Sequence, residues 1–392
     1  MREHFAKIMG FENALDNEFD LLAYSYDASG IHGKARIVLF AHNEEEIRQT
    51  LTWANRTNIP LIVRGLGNNP HGMTVPRNAI VLDMSRFDKI LTLNLQEEYV
   101  VVQPGVILSD LQKILAKYDY EFPINPESRS VATIGGLLGV NQMSRRSYKN
   151  KRLKEHVLNI EAFDGTGKHY TEANKAFIGK EGVGSIITKA TIKIQKKHDN
   201  YTTTLKDYTE KHELLAELEE LQTHLGISSI EYLNPKMSEY LGMKKTHHLL
   251  IEYIGEDGEI KNQEVQAGLW KQRARAWSAA TKQGYGVLED VTIPKHKLYE
   301  FLEWCDERQL PVTGHIGVGI LHPLLKNDCT TEQRKELYEY AVMLGGRAAG
   351  QHGYGENKKA YVPKQLKEEI IALKDEYDYE DIVGRGKIHD YY

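Results

Sequence analysis

Cysteine is almost missing from this chain. Its 392 residues include two, Cys305 and Cys329, too few for a four-thiolate iron–sulfur cluster or a disulfide framework. A reducing compartment is the simplest fit. No run of 18 apolar residues occurs, and the opening Met1-Arg2-Glu3-His4-Phe5-Ala6-Lys7 lacks the apolar core of a secretory signal. A dominant charge is lacking too. The formal net charge is −5, without long like-charge blocks, which argues against a nucleic-acid partner. Internal repeats and low-complexity tracts are also missing. The expectation is a cytoplasmic protein, with peripheral attachment at a membrane left open. What the chain does have is 41% hydrophobic content over 392 residues, enough for two cored domains.

The most informative stretch is Ile62-Val63-Arg64-Gly65-Leu66-Gly67-Asn68-Asn69-Pro70-His71-Gly72. A β-branched run ends in glycines and asparagines, which tolerate positive φ and let backbone N–H groups crowd round an anion such as a diphosphate. A helical pattern over 43–56 precedes it, and 79–83 reads as another strand rather than the helix that a Rossmann or Walker loop requires. The loop therefore belongs to a different nucleotide-binding design.

Around it, Asn43 with Glu46 makes a capping box, with Ile47, Thr50, Leu51 and Ala54 at helical spacing. Strands are expected at 59–63, 79–83 and 99–103, then a Pro104-Gly105 turn and a helix capped by Ser109. Strands follow at 157–163 and 186–194. The latter puts Ile186, Thr188, Ala190, Ile192 and Ile194 on one face. The polar stretch 196–208 interrupts the pattern and marks a boundary. Beyond it, strands at 229–233, 249–254, 287–292 and 311–322 alternate with helices at 260–281, from Lys297 and from Thr331, an α+β unit with helices on one face of a sheet. The expected division is an N-terminal extension, 1–35; a first domain, 36–198; a second, 199–345; and a glycine-rich, then charged segment, 346–392, returning to the first.

Five stretches in order now carry a family resemblance: 59–72, Val81-Leu82-Asp83-Met84-Ser85-Arg86, Val102-Gln103-Pro104-Gly105-Val106, Thr133-Ile134-Gly135-Gly136, and Gly182-Val183-Gly184-Ser185-Ile186-Ile187. The first half resembles the PCMH-type FAD-binding domain of the vanillyl-alcohol oxidase superfamily. The second half is similar to the substrate cap of the glycolate oxidase D-subunit and D-lactate dehydrogenase branch, through 249–255, Trp270-Lys271-Gln272-Arg273, Gly314–His322 and Gly345–Gly355. The resemblance implies an α+β fold, a two-subdomain FAD domain followed by a ferredoxin-like cap, and a dehydrogenase or oxidase of a 2-hydroxy acid or related secondary alcohol. It places non-covalent FAD against Arg64, Gly65, Leu66, Gly67, Asn68, Asn69, Gly72, Pro104, Gly105, Thr133, Gly135, Gly136, Gly182, Gly184 and Ile187. It makes His352 the general base, an apt role for an imidazole, and puts the Arg273 guanidinium on a substrate carboxylate. The electron acceptor is then external: a quinone, a cytochrome, dioxygen or a separate iron–sulfur subunit. The chain is expected to act as a homo-oligomer or within a complex.

The chain departs from the family pattern at the divalent-metal site, for which the resemblance nominates His315 and His322. The acidic ligand position is Gln351, and Gly317-Val318-Gly319-Ile320 stands where the family runs Gly-Asp-Gly-Asn. A neutral amide is a poor partner for a hard cation. A weak two-histidine site and a pair of packed, hydrogen-bonded imidazoles both remain open. Seven residues apart on a straight strand, the two would face opposite ways, so a shared site needs a bend at Gly317 and Gly319. Near the flavin, the family's Asn-Ala-Gly-Gly is replaced by Asn141-Gln142-Met143-Ser144, followed by the basic cluster Arg145, Arg146, Lys149 and Lys151. Such a run attracts an anion or, more often, forms a solvated loop. The altered site keeps a second reading open: an FAD-binding subunit with changed chemistry, serving as an electron-transfer or structural partner.

Overall fold

A computed structural model describes residues 1–173, 175–198 and 200–388. The chain forms two compact units. Unit 1 joins Met1–Gln142, Arg152–Lys196 and the chain from His352 onward; unit 2 joins Met143–Lys151 and Lys197–Gln351.

Three sheets lie among the described residues of unit 1. The first runs Ala14–Leu15, Lys34–Phe40, Arg77–Asp83, Leu61–Arg64, and its last three strands are parallel. Alternation sets Ile37, Leu39, Leu61, Ile80 and Leu82 against Ile47, Leu51 and Ala54 of the helix Glu44–Thr57. Asn43 caps that helix by accepting from Glu46 N at 3.0 Å, while Glu46 Oε2 accepts from His42 N, one residue before the cap. The first 35 residues pack into the same core: Phe5 is fully buried, its ring 5.2 Å from that of Trp53, and Ala14 pairs with Leu39. The second sheet is antiparallel, in the order Ile90–Asn94, Tyr99–Val102, Ser185–Lys193, Val157–Asp164, His169–Tyr170. Its core includes Val100, Val102, Ile160, Ala190 and Ile192, with Leu108, Leu111 and Leu115 of the helix Leu108–Ala116. Ser109 does not cap this helix; Ile107 holds the N-cap without a side-chain bond, and Ser109 lies within the first turn.

The C-terminal chain returns to the first sheet. Leu61 N donates to Ile382 O at 2.8 Å, and Gly384 N donates to Leu61 O at 2.9 Å. A buried ion cluster holds the return. Lys374 Nζ donates to Asp378 Oδ2 at 3.1 Å and also meets Asp381, while Asp378 accepts from Ile382 N and Val383 N at 2.9 and 3.0 Å. Burial pushes the Asp378 carboxyl above its ordinary value, against the pull of Lys374.

Unit 2 is built on a seven-stranded antiparallel sheet. Its path is Tyr201–Tyr208, His247–Ile254, Ile227–Leu233, Val312–His315, Ile320–Leu325, Val287–Leu288, with Val291–Thr292 also paired to Ile320–Leu325. Three expectations are corrected here. The polar stretch 196–208 includes a full strand, because Thr202, Thr203 and Thr204 are β-branched and buried in the sheet. The long helix 260–281 is two, Gln263–Ala274 and Ala276–Thr281, broken at Arg275 where ψ is 0°. The single strand 311–322 is a hairpin, turned by the one-turn 3₁₀ segment Ile316–Val318 and by Gly319 at φ 73°. A Cβ on Gly319 would stand 2.5 Å from the Ile293 carbonyl oxygen, so the turn requires glycine.

Asp378→Ala should cost about 3 kcal/mol, because it strips two buried amides of their acceptor and Lys374 of one counter-charge. Chemical denaturation of the full chain measures this; a cost under about 1 kcal/mol would contradict it.

Candidate functional site

In unit 1 the glycine-bearing stretches singled out by sequence meet one another. A Cβ on Gly65 would stand 2.6 Å from Thr133 Oγ1, and one on Gly135 would stand 2.8 Å from Pro104 Cβ. At Gly105 it would meet the carbonyl oxygens of Met84 at 2.1 Å and Phe87 at 2.7 Å. Thr133 caps the helix Ile134–Val140 by accepting from Gly136 N, and Gly135 N donates to Pro104 O at 2.8 Å. Arg64 is buried beneath the loop. Its guanidinium donates to Tyr26 O at 2.8 Å and lies against Gly67, whose φ is 66°. Burial lowers the Arg64 pKa, and the bond to Tyr26 O holds the guanidinium inside the loop. Leu66 and Asn68 are exposed, and among the described residues the backbone N–H groups of Leu66, Gly67 and Asn68 meet no acceptor. A turn of unengaged amides beside a capped helix N-terminus fits a diphosphate. These residues fit FAD.

The C-terminal return is tied to the same loop. Asn69 Nδ2 donates to His352 O at 2.9 Å, and Asn69 Oδ1 accepts from His71 N at 2.8 Å. Glu181, which drew no notice in the sequence, accepts from Tyr354 N at 2.7 Å and Gly355 N at 2.8 Å. His352 thus stands in unit 1 between two anchored points, its ring 6.3 Å from that of buried His71. Lys387 donates to the carbonyls of Gly72 at 2.9 Å and Val75 at 2.6 Å, and it pairs with Glu356. Gly72 is therefore engaged by this return. Gly184 likewise serves packing: a Cβ there would stand 2.2 Å from Leu373 Cδ2. Gly182, at φ 76°, borders open space, and Ile187 is half-buried in the strand Ser185–Lys193.

Unit 2 brings His315 and His322 together across the hairpin, their rings 5.7 Å apart and edge to face. His315 Nδ1 lies 2.6 Å from Glu231 Oε1, and the other Glu231 oxygen meets Arg273. His322 Nδ1 lies 3.2 Å from Glu289 O, and its Nε2 is 3.3 Å from Gln351 Nε2. The tautomer follows: His322 donates through Nδ1 and accepts from the Gln351 amide at Nε2. Gly350 N and Gln351 N both donate to Asp290 Oδ2, at 3.0 and 2.7 Å.

A divalent cation here would find two imidazoles and an amide. Within unit 2, no three His, Cys, Asp or Glu donor atoms converge among the described residues. That donor set does not fit a hard divalent metal. Arg273 is buried, and its guanidinium meets Glu231. Two members of the basic cluster pair within unit 2, while Lys149 and Lys151 are exposed. Arg145 Nη2 donates to Glu252 Oε1 at 3.0 Å, and Arg146 Nε donates to Glu252 Oε2 at 2.7 Å. Their guanidiniums stack on the rings of Trp270 and Tyr201. Burial pushes the Glu252 carboxyl up, but the two cations outweigh it and hold the carboxyl below its ordinary value.

Comparison with known proteins places these units. The FAD binding domain family matches residues 35–172, and the FAD linked oxidases, C-terminal domain, matches residues 241–388. Glycolate oxidase subunit GlcD of Bacillus subtilis is 25% identical, covering 99% of this chain and 96% of its own length. The mitochondrial D-lactate dehydrogenase [cytochrome] of Arabidopsis thaliana is 23% identical over 94% of this chain and 78% of its own. Alkyldihydroxyacetonephosphate synthase shares the fold, with a TM-score of 0.72 at 16% identity, covering 98% of this chain and 85% of that one.

Gly65→Ala should weaken FAD uptake at least about tenfold, since the new methyl must displace the Thr133 hydroxyl that caps the adjoining helix. Titration of apoprotein by flavin fluorescence measures this, and unchanged affinity would refute it. For Glu252 the sign of the pH effect is fixed: a carboxyl depressed in the fold contributes stability above its ordinary unfolded value and loses that contribution as pH falls through the depressed one. Because both arginines are partly exposed, about 1–2 kcal/mol should disappear between pH 5 and the acid limit. In Glu252→Gln that loss should be missing from the acid titration of stability.

Proposed function

We propose that this chain, which belongs to the PCMH-type FAD-linked oxidases and is an FAD-dependent oxidoreductase, dehydrogenates a 2-hydroxy acid or a closely related secondary alcohol. The observation that carries the reading is the meeting of Gly65 with Thr133 and of Gly135 with Pro104, a cradle only glycine can line. The 2-hydroxy acid class is supported by relatives whose names are glycolate oxidase and D-lactate dehydrogenase.

Bound FAD supplies the two-electron acceptor for the substrate C–H hydride. His352 takes the hydroxyl proton on its imidazole. Its main chain is pinned by Asn69, and Glu181 pins the two amides that follow Gly353, so the ring is presented from a fixed backbone. No step passes through a metal at His315 and His322. The two cysteines cannot build a cluster in this chain, so the final electron acceptor would be external: a quinone, a cytochrome, dioxygen or an iron–sulfur subunit.

Gln351 beside His322 favours a second reading, a flavin-binding subunit with altered chemistry that serves a complex. One experiment separates the two. The purified protein should show oxidised-flavin bands that bleach under anaerobic 2-hydroxy acid, and His352→Ala should slow bleaching about 10²–10⁴-fold. A yellow protein bleached by dithionite but by no hydroxy acid would leave the second reading; an unchanged rate in His352→Ala would remove that residue from the chemistry.

A further inference from the structure

The main chain of residues 352–357 is bonded at both ends to other parts of unit 1. His352 O accepts from Asn69 Nδ2 at 2.9 Å, and Glu356 N and Asn357 N donate to His71 O at 2.7 and 3.2 Å. These bonds fasten the segment to the end of the loop 65–72. Between them, Tyr354 N and Gly355 N donate to the two carboxylate oxygens of Glu181, at 2.7 and 2.8 Å. A Cβ on Gly353 would stand 2.5 Å from Glu181 Oε1, so segment and carboxylate touch without slack.

Glu181 is bound in turn to the helix Ile134–Val140. Its N donates to Gly139 O at 2.8 Å, and Gly179 N donates to Leu138 O at 2.9 Å. That helix is capped by Thr133, the residue on which Gly65 rests. The contacts therefore close a ring within unit 1. It runs from the loop 65–72 through residues 352–357 and Glu181 to the helix, then through Thr133 back to Gly65. The amides of Leu66, Gly67 and Asn68 and the N-terminus of the helix, which fit the diphosphate of FAD, lie on two parts of this ring.

Backbone conformation singles out Glu181 within it. Its φ is 56°, in the left-handed region where a glutamate is strained and a glycine is not. A glycine would hold the same turn without strain. What it would lack is the buried carboxylate that accepts from two amides at once.

We propose that Glu181 couples the binding of FAD to the order of residues 352–357. When the loop and the helix N-terminus hold FAD, the ring stiffens and the segment is fixed through Glu181. By reciprocity, the two bonds from the segment to Glu181 raise the affinity for FAD. Glu181 is here a positioning residue, acting through the helix and the segment. The coupling belongs to the flavin-binding unit and holds whatever the substrate is.

Hydrogen exchange read by mass spectrometry on wild-type apoprotein and holoprotein measures the coupling directly. FAD should slow exchange across 352–357 at least about tenfold more than it does in the strand Val157–Asp164 of the same unit. Two substitutions then separate the carboxylate from the backbone. Glu181→Gln keeps the shape but leaves one amide facing another, and Glu181→Gly relieves the strain while deleting both bonds. Each should weaken FAD binding about tenfold in a fluorescence titration of apoprotein, and each should abolish the extra protection of 352–357. Equal slowing of both segments in wild type would overturn the proposal. So would FAD affinity in Glu181→Gln within about twofold of wild type, or tighter binding in Glu181→Gly. A purely structural Glu181 would show exchange that quickens equally with and without FAD, and that result also overturns it. The wild-type comparison stands even where a variant fails to fold.

Discussion

The organisation of unit 1 depends on main chain approaching its neighbours more closely than a Cβ would permit. Gly105 rests on two carbonyl oxygens, Gly65 on a capping hydroxyl and Gly135 on a proline ring. Each contact leaves no room for a Cβ, and the Gly105 and Gly135 amides donate to the carbonyls of Phe87 and Pro104. The parallel strands Leu61–Arg64 and Arg77–Asp83 hold the first turn without a crossover helix. Arg64 fills the space beneath it, where a buried guanidinium braces the backbone rather than meeting solvent anions.

The same unit is closed by the far end of the chain. Glu181 holds the amides of Tyr354 and Gly355, Asn69 holds the His352 carbonyl, and Lys387 holds the carbonyls of Gly72 and Val75. These are charge-assisted or amide bonds to backbone, which fix position without demanding a particular neighbouring side chain. The consequence is functional: the histidine nominated as base is set by contacts within the flavin-binding unit, although the chain leaves unit 2 only one residue earlier, at Gln351.

In unit 2 the donor set departs from that of a divalent-metal site. The hairpin does bring the two histidines together, as a turn at Gly319 requires. Their nitrogens, however, are committed differently. One imidazole is held by a carboxylate that also takes up Arg273, and the other accepts from an amide. A constellation that could have been a cation site has become a hydrogen-bonding surface, with its charges cancelled locally.

The sequence alone determined the elements whose signal is local. The helix Glu44–Thr57 and the strand Ser185–Lys193 follow from capping and alternation, and the glycine clusters marked the loops because positive φ and close approach leave few other choices. It failed where the signal is non-local. Thr202, Thr203 and Thr204 read as polar although sheet pairing buries them, and nothing in the sequence paired Arg273 with Glu231. Glu181 and Glu231 carry no motif; only the partners brought by folding give them a role. Periodicity and turn chemistry act over a few residues, whereas the pairing of a charge is decided by segments far apart in the chain, and that is what only the tertiary structure settled.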